Sequence, residues 1–467
     1  MNLLQLERAA PVNLQALVRE LPDRRAVYRA EWQGQAVFVK VFHGPQAARY
    51  ASRDAQGARW MQSAGLTTPA LLWQGQTADQ QSCVLIYAAV PQAINADQAY
   101  IDAVSDRLAL LQSLVVALAA QHAAGLCQTD LHLKNFLLAE GRVWAIDGDG
   151  IRRQSLSVRQ AHRQLAELIS KLYVLDQHAM VDSLLTTYLQ ARQWPVSISA
   201  RQVLQWAKCM KRQEVERYVR DKIFRNCSDV RWQANADAVQ AVSVAGGLPP
   251  VDVHDLEALV QTGQALKLGN TCTVVSAQWQ QQAVVIKRYN IKHLWHALSR
   301  AWRPSRAAAS WSSAHRLRYY GFLTPAPLLM LETRYLGLRG KAFFVAAWSP
   351  WPDALTFFAR EQAPALRAQA MQQLVMLCYQ WYLLQLSHGD LKATNLQVTD
   401  QGQIVVMDLD SMQQHRCPRR ALRAHARDLR RLLQNWKQDT SLYNALLENF
   451  KRVYPDHAPL KLAGISL

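Results

Sequence analysis

The sequence predicts an α+β protein made of two tandem, two-lobed domains. Each is expected to join a small antiparallel sheet bearing one helix to a larger, mainly helical part. Two observations predict this. Four landmarks recur in the same order in the two halves of the 467-residue chain, although any one alone would carry little weight. In each half the alternating apolar segments come first and the long helical patterns follow. The length also suits two domains of ordinary size.

The first landmark is an alternating strand ending in lysine, Ala36-Val37-Phe38-Val39-Lys40 and then Ala283-Val284-Val285-Ile286-Lys287. The second is an amphipathic helical pattern closed by Gly65-Leu66-Thr67-Thr68-Pro69 and by Gly321-Phe322-Leu323-Thr324-Pro325; glycine and proline in that order end a helix. The third is a loop, Asp130-Leu131-His132-Leu133-Lys134-Asn135 and Asp390-Leu391-Lys392-Ala393-Thr394-Asn395. The fourth is an apolar strand ending in aspartate, Val143-Trp144-Ala145-Ile146-Asp147 and Ile404-Val405-Val406-Met407-Asp408. Loop aspartate and strand aspartate stand 17 and 18 residues apart in the two copies. Ala-Gly-Gly-Leu-Pro-Pro at 245–250 has linker chemistry. The first domain is therefore expected over 1–235, a linker over 236–252 and the second domain over 253–467.

No transmembrane segment is expected. The most apolar run, Leu108 to Leu126, is broken by Gln112, Gln121 and His122 and reads as a buried helix. The first residues lack a basic region and a long apolar stretch, so no signal peptide is expected. Seven scattered cysteines without a Cys-x-x-Cys pair point to a reducing, cytoplasmic setting rather than a disulfide framework or zinc site.

The landmarks match what phosphoryl transfer from ATP requires, which is mainly positioning and neutralisation of charge. A strand lysine, Lys40 or Lys287, reaches the nucleotide phosphates. An acid on the next helix holds it, as Asp54 can hold Lys40. A loop aspartate, Asp130 or Asp390, takes the proton of the acceptor hydroxyl. The asparagine five residues on and the strand aspartate hold Mg²⁺ on the phosphates, giving the pairs Asn135/Asp147 and Asn395/Asp408. The halves differ. Ser310 stands where Asp54 does and cannot pair with Lys287. The loop aspartate follows His388-Gly389 in the second half and Gln128-Thr129 in the first. A later helix offers Asp428 as a loop anchor in the second half and Gln164 in the first. Neither half has a Gly-x-Gly-x-x-Gly loop; Leu268-Gly269-Asn270-Thr271 is the nearest approach, and Gln33-Gly34-Gln35 reads as a plain β-turn. The loop acts on the reacting group directly, so the second half is the expected enzyme.

These motifs resemble the protein-kinase-like superfamily. Within it they resemble the lipopolysaccharide kinases, the Kdo/heptose kinases of the Gram-negative core oligosaccharide. The carriers are Asp130 to Asn135 with Phe136-Leu137-Leu138, His388 to Asn395, Asp408-Leu409-Asp410 in place of Asp-Phe-Gly, and the Gly-x-x-Thr-Pro signal. The resemblance implies two kinase-like domains and ATP- and Mg²⁺-dependent transfer to a heptose or Kdo hydroxyl. The acceptor would be a lipid-linked oligosaccharide at the cytoplasmic face of the inner membrane. Family members commonly have one such domain. Two alternatives stay open: a kinase-fold scaffold that has lost catalysis, and a small-molecule or protein kinase unrelated to lipid.

Charge agrees with an anionic partner. The chain carries 53 Lys+Arg against 35 Asp+Glu, a net charge of +18. Ile291, Leu294, Trp295, Leu298 and Trp302 would share one helical face within a basic segment, 289–303, suited either to peripheral contact with a membrane surface or to packing on the kinase lobe. A basic run from Lys208 to Arg225 closes the first half. Arg416, Arg419, Arg420 and Arg423 open another run, continued to Arg431, which reads either as a solvated helix face or as the place where an anionic acceptor would approach Asp390. Nucleic acid is not the expected partner, since no helix-turn-helix, zinc-finger or RNA-binding motif is present.

Overall fold

The computed structural model describes residues 2–21, 23–103, 106–196, 198–249, 251–269, 272–290, 305–335 and 338–465. The amphipathic stripe expected over 289–303 lies outside the described residues from 291 onward. The chain divides into two compact units, Met1–Lys211 and Arg212–Leu467.

The first unit opens on a six-stranded antiparallel sheet in the order β1-β2-β3-β4-β6-β5. Its strands are β1 (Asn2–Leu6), β2 (Ala9–Leu21), β3 (Arg25–Trp32), β4 (Gln35–Phe42), β5 (Leu71–Gln76) and β6 (Cys83–Ala88). Gln33 and Gly34 join β3 to β4 with φ of +52° and +77°, the pair of left-handed residues a tight hairpin turn demands. Alternation along β4 sorts its side chains. Val37, Val39 and Val41 pack with Val12, Val84 and Ile86. Phe42, on the opposite face, packs with the small residues of helix α1 (Ala47–Ser63). Lys40 shares the face of Phe42 and so points to α1.

The rest of the first unit has its own core, built around α3 (Arg107–Ala123). Its other elements are β7 (Ile94–Asn95), α2 (Ala96–Asp102), β8 (Leu126–Gln128), β9 (Phe136–Ala139), β10 (Arg142–Ala145), β11 (Ile151–Arg153), α4 (Val158–Ser170) and α5 (Val174–Arg192). Leu111, Leu114, Val115 and Leu118 of α3 are buried, so the apolar run is a core helix. Among the described residues no helix is long and apolar enough to cross a membrane.

The second unit has a seven-stranded sheet in the order β12-β13-β17-β18-β16-β15-β14. Its elements are β12 (Val230–Ala234), β13 (Ala238–Ser243), α7 (Val253–Thr262), β14 (Gln264–Lys267), β15 (Cys272–Trp279), β16 (Gln282–Tyr289), α8 (Arg306–Tyr319), β17 (Pro327–Tyr335) and β18 (Leu338–Ala347). After it come α9 (Ala354–Ala359), α10 (Pro364–Leu384), β19 (Leu386–Ser387), β20 (Leu396–Val398), β21 (Ile404–Val406), β22 (Gln413–Gln414), α11 (Pro418–Gln434), α12 (Thr440–Val453) and α13 (Ala458–Ala463). The sheet is again followed by helices.

The division falls upstream of the linker expected over 236–252. It lies within α6 (Ala200–Arg217). Strand β13, inside the expected linker, pairs with β17 from Ala238↔Thr333 to Val242↔Leu329. Val239, Ala241 and Val242 are buried there, which a linker would leave in water. Residues upstream of it also belong to the second unit: Val215, Val219 and Ile223 pack with Trp311 of α8, and Trp311 Nε1 donates to the Ile223 carbonyl at 3.2 Å. The basic run of 208–225 therefore falls mainly in the second unit. Gly246 to Pro249, the described part of the Gly-Gly-Leu-Pro-Pro stretch, lie between β13 and α7.

Candidate functional site

The same local device places the strand aspartate in each unit. The helix after the lysine strand ends on a left-handed glycine, Gly65 at φ +69° and Gly321 at +86°. The chain then runs back beside the aspartate strand: Ala145 N–H donates to the Thr67 carbonyl and Val406 N–H to the Leu323 carbonyl, each at 2.9 Å. The residue before each aspartate is tied to the loop asparagine. Ile146 N–H donates to the Asn135 carbonyl and Met407 N–H to the Asn395 carbonyl, again at 2.9 Å. Asp147 and Asp408 both sit at positive φ, +70° and +52°. That backbone is costly for a residue other than glycine and persists where the surroundings impose it.

In the second unit Lys287 Nζ donates to Asp408 Oδ1 at 2.7 Å. Burial pushes the Asp408 carboxyl up, but the Lys287 ammonium outweighs it and holds the group below its ordinary value. Ser310 does not reach the lysine; its hydroxyl bonds Tyr289 at 3.0 Å. Asp390 stands at the mouth of the loop. Arg431 Nη2 lies 2.5 Å from its Oδ1 and Lys392 Nζ 3.5 Å from its Oδ2. Asn395 Nδ2 donates to the Asp390 carbonyl at 2.9 Å, which leaves Asn395 Oδ1 as an acceptor.

The loop is braced from beneath. Asp428 on α11 accepts from His388 N–H at 2.6 Å and Gly389 N–H at 3.1 Å. Burial raises its carboxyl above the ordinary value, against those two donors. His388 Nε2 donates to the Met407 carbonyl at 2.8 Å, and Asp390 N–H donates to Nδ1 at 3.3 Å. A carbonyl can only accept, so Nε2 carries the proton. One imidazole thus links the residue before Asp408 to Asp390 itself.

Mg²⁺ commonly takes one or two protein carboxylates and completes its shell with phosphate and water. Asp408, about a third exposed (35 %), and the spare Asn395 Oδ1 fit that role. Among the described residues no group of three or more His, Cys, Asp or Glu side chains gathers, so phosphate oxygens would complete the shell.

The first unit brings together Lys40, Asp54 and Asp147. Lys40 Nζ donates to Asp54 Oδ2 at 2.6 Å and to Asp147 Oδ1 at 3.4 Å. Asp54 is fully buried and accepts from the Tyr87 hydroxyl as well. Burial would lower the Lys40 ammonium, yet Asp54 and Asp147 outweigh it and hold it above its ordinary value. Arg25 stands 3.8 Å from Asp54 and 3.6 Å from Asp147. The Asp130 carboxylate is exposed, while Asn135 Nδ2 donates to the Asp130 carbonyl at 2.7 Å. The brace differs. Gln164 Nε2 donates to the Gln128 carbonyl at 2.7 Å, and Gln164 Oε1 meets His122 Nε2 at 2.9 Å. No charge enters this brace.

Residues 257–454 match the model of the lipopolysaccharide kinase (Kdo/WaaP) family. The match lies wholly in the second unit and takes in Lys287, Asp390, Asn395, Asp408 and Asp428. No curated protein matches the chain.

Of the arginines expected to bind an anion, Arg416 reaches Glu216 at 3.4 Å. Arg419, Arg420 and Arg423 lie exposed on α11. Arg431, which reaches Asp390, was hidden in the sequence among many arginines; its signal was the i+3 spacing from Asp428, which puts both on one side of the helix. Arg25 left no such signal. Asp149 and Asp410 also entered the geometry: Arg53 pairs with the first and Arg306 with the second.

Proposed function

We propose that the second unit is a kinase that transfers the γ-phosphoryl group of ATP to a heptose or Kdo hydroxyl of the lipopolysaccharide core. The observation that carries this reading is the Lys287–Asp408 and Asn395–Asp390 set, braced by Asp428, inside the segment that matches the lipopolysaccharide kinase family. Lys287 turns from Asp408 to the nucleotide phosphates. Asp390 accepts a hydrogen bond from the acceptor hydroxyl, points the hydroxyl oxygen at the γ-phosphorus, and takes the hydroxyl proton as the new O–P bond forms and the bond to the β-phosphate oxygen breaks, ADP leaving. Mg²⁺ at Asp408 and Asn395 supplies neutralisation of phosphate charge. Arg431 and Lys392 put positive charge beside Asp390, where an anionic acceptor is favoured.

The acceptor is lipid-linked, so the reaction belongs at the cytoplasmic face of the inner membrane, with the protein held there peripherally. The net charge of +18 and the exposed arginines of α11 support that placement. We further propose that the two units are a tandem pair of kinase-like, two-lobed domains, supported by the shared hydrogen bonds at Asn135/Ile146 and Asn395/Met407. Mass spectrometry of core oligosaccharide from cells with and without the gene tests the activity. The expected result is one phosphate fewer in its absence; an unchanged core sinks the reading.

A further inference from the structure

The first unit does not repeat the charge arrangement of the second. Register identifies the difference. In the first unit Val27 is the cross-strand partner of Lys40, and Arg25 lies two residues earlier on β3. In the second unit Val274 is the partner of Lys287, and Cys272 lies two residues earlier on β15. Residues two apart on a strand share a face. Arg25 and Cys272 therefore occupy matching places, on the face that carries the lysine.

A guanidinium stands where the other unit has a neutral thiol. Its side chain is only 12 % exposed and lies 3.6 Å from Asp147 Oδ1, the oxygen that Lys40 also approaches at 3.4 Å. Burial raises the Asp147 carboxyl, and Lys40 with Arg25 outweigh it and hold it below its ordinary value. Among the described residues Asp408 has one cation in contact, Lys287, and no helix carboxylate holds that lysine, which can move to a phosphate. Asp147 keeps Arg25 even when Lys40 moves, and Lys40 itself is anchored to buried Asp54. A divalent cation at Asp147 would face that fixed guanidinium across a few ångströms of a partly buried site. These residues do not fit Mg²⁺.

They do fit phosphate. A guanidinium binds two phosphate oxygens with parallel N–H groups, and a lysine adds a point charge beside it. We infer that the first unit binds the phosphates of a nucleoside di- or triphosphate without a divalent cation, Arg25 supplying the charge the metal supplies elsewhere. The inference concerns the first unit alone, but it builds on the reading of the chain as kinase-like. Metal-free binding is a holding function: the nucleotide is kept and not turned over.

The test uses the full chain with the second site removed by Lys287→Ala and Asp408→Ala. Binding of ATP and of ADP is titrated in EDTA and in MgCl₂. The expected result is binding in EDTA within about threefold of that in Mg²⁺. Arg25→Ala should weaken the EDTA affinity by at least about tenfold, the scale of a lost charged hydrogen bond. Binding that vanishes in EDTA overturns the inference, as does no binding at all. If Arg25→Ala fails to fold, as judged by its melt, the metal dependence of the Arg25 protein still decides. A second protein, Lys40→Ala with the second site intact, separates the two claims. Mg²⁺-dependent ATP binding there, with none in the first unit, leaves the kinase reading standing and removes only this inference. Absence of binding in both removes both.

Discussion

Asp390 is held by its neighbours rather than by its own side chain. Its backbone N–H meets His388, its carbonyl meets Asn395, and its carboxylate meets Arg431, Lys392 and, at 3.4 Å, Asn395 Nδ2. Asp428 fixes that arrangement from below by accepting two buried N–H groups. Asp428→Asn replaces one acceptor oxygen with a donor, so one N–H loses its partner. We expect it to cost about 1–3 kcal/mol of stability and to lower kcat more than it changes ATP affinity. Unchanged kcat in the folded variant would show that the loop needs no anchor. The residues at this scale were legible unevenly. Lysines, loop aspartates, asparagines and strand aspartates stood out because they recur in order. Arg25 did not, since Arg25-Ala-Val-Tyr-Arg-Ala-Glu-Trp reads as an ordinary alternating strand with its charges in water. Arg431 did not either, because a run of arginines gives no hint of which one reaches Asp390.

At the scale of elements, α1 is fastened to the loop after Asp147 by two glycines. A Cβ on Gly57 would come 2.0 Å from the Gly148 carbonyl oxygen, and one on Gly148 would come 2.1 Å from the Asp54 carbonyl oxygen. The close approach brings Asp54 and Asp147 to the same lysine. Gly57→Ala is expected to destabilise the first unit by about 1–3 kcal/mol through overpacking and to weaken nucleotide binding there. A melt within a degree of the starting protein would show that the helix can move away freely. The alternating strands and the glycine-ended helices were readable from residue pattern because local chemistry specifies them. The domain boundary was not. The Gly-Gly-Leu-Pro-Pro stretch signals a turn, and nothing local distinguishes a turn between domains from one within a domain. Only the pairing of β13 with β17, almost a hundred residues on, assigns that strand to the second unit.

At the scale of the molecule, two terms are measurable. Burial pushes four histidines far below their ordinary value: His122, His178 and His315 to about 4, and His425 to about 3. The folded state keeps them neutral while the unfolded chain protonates them near 6.5. Their contribution is therefore complete above about pH 6.5 and is lost as pH falls towards 4. The melting midpoint should fall between pH 7.5 and 5.0; a midpoint independent of pH over that range would contradict the burial of these rings as neutral groups. The second term is the net charge of +18. The protein should float with vesicles of anionic lipid at low salt and be released at about 0.5 M salt, where screening reaches only a few ångströms. Binding that survives high salt unchanged would make the attachment apolar.

Phosphoryl transfer is proposed to belong to the second unit, through Asp390. The most direct measurement compares phosphate incorporation into core oligosaccharide by the unsubstituted chain, Asp130→Asn and Asp390→Asn, with melting curves to show that each is folded. Both changes are nearly isosteric. Asp390→Asn should lower turnover by about 10²–10⁴-fold, the usual range for a lost general base, while Asp130→Asn leaves it within about twofold. Loss of activity in Asp130→Asn with Asp390→Asn unaffected would place the chemistry in the first unit and contradict the account.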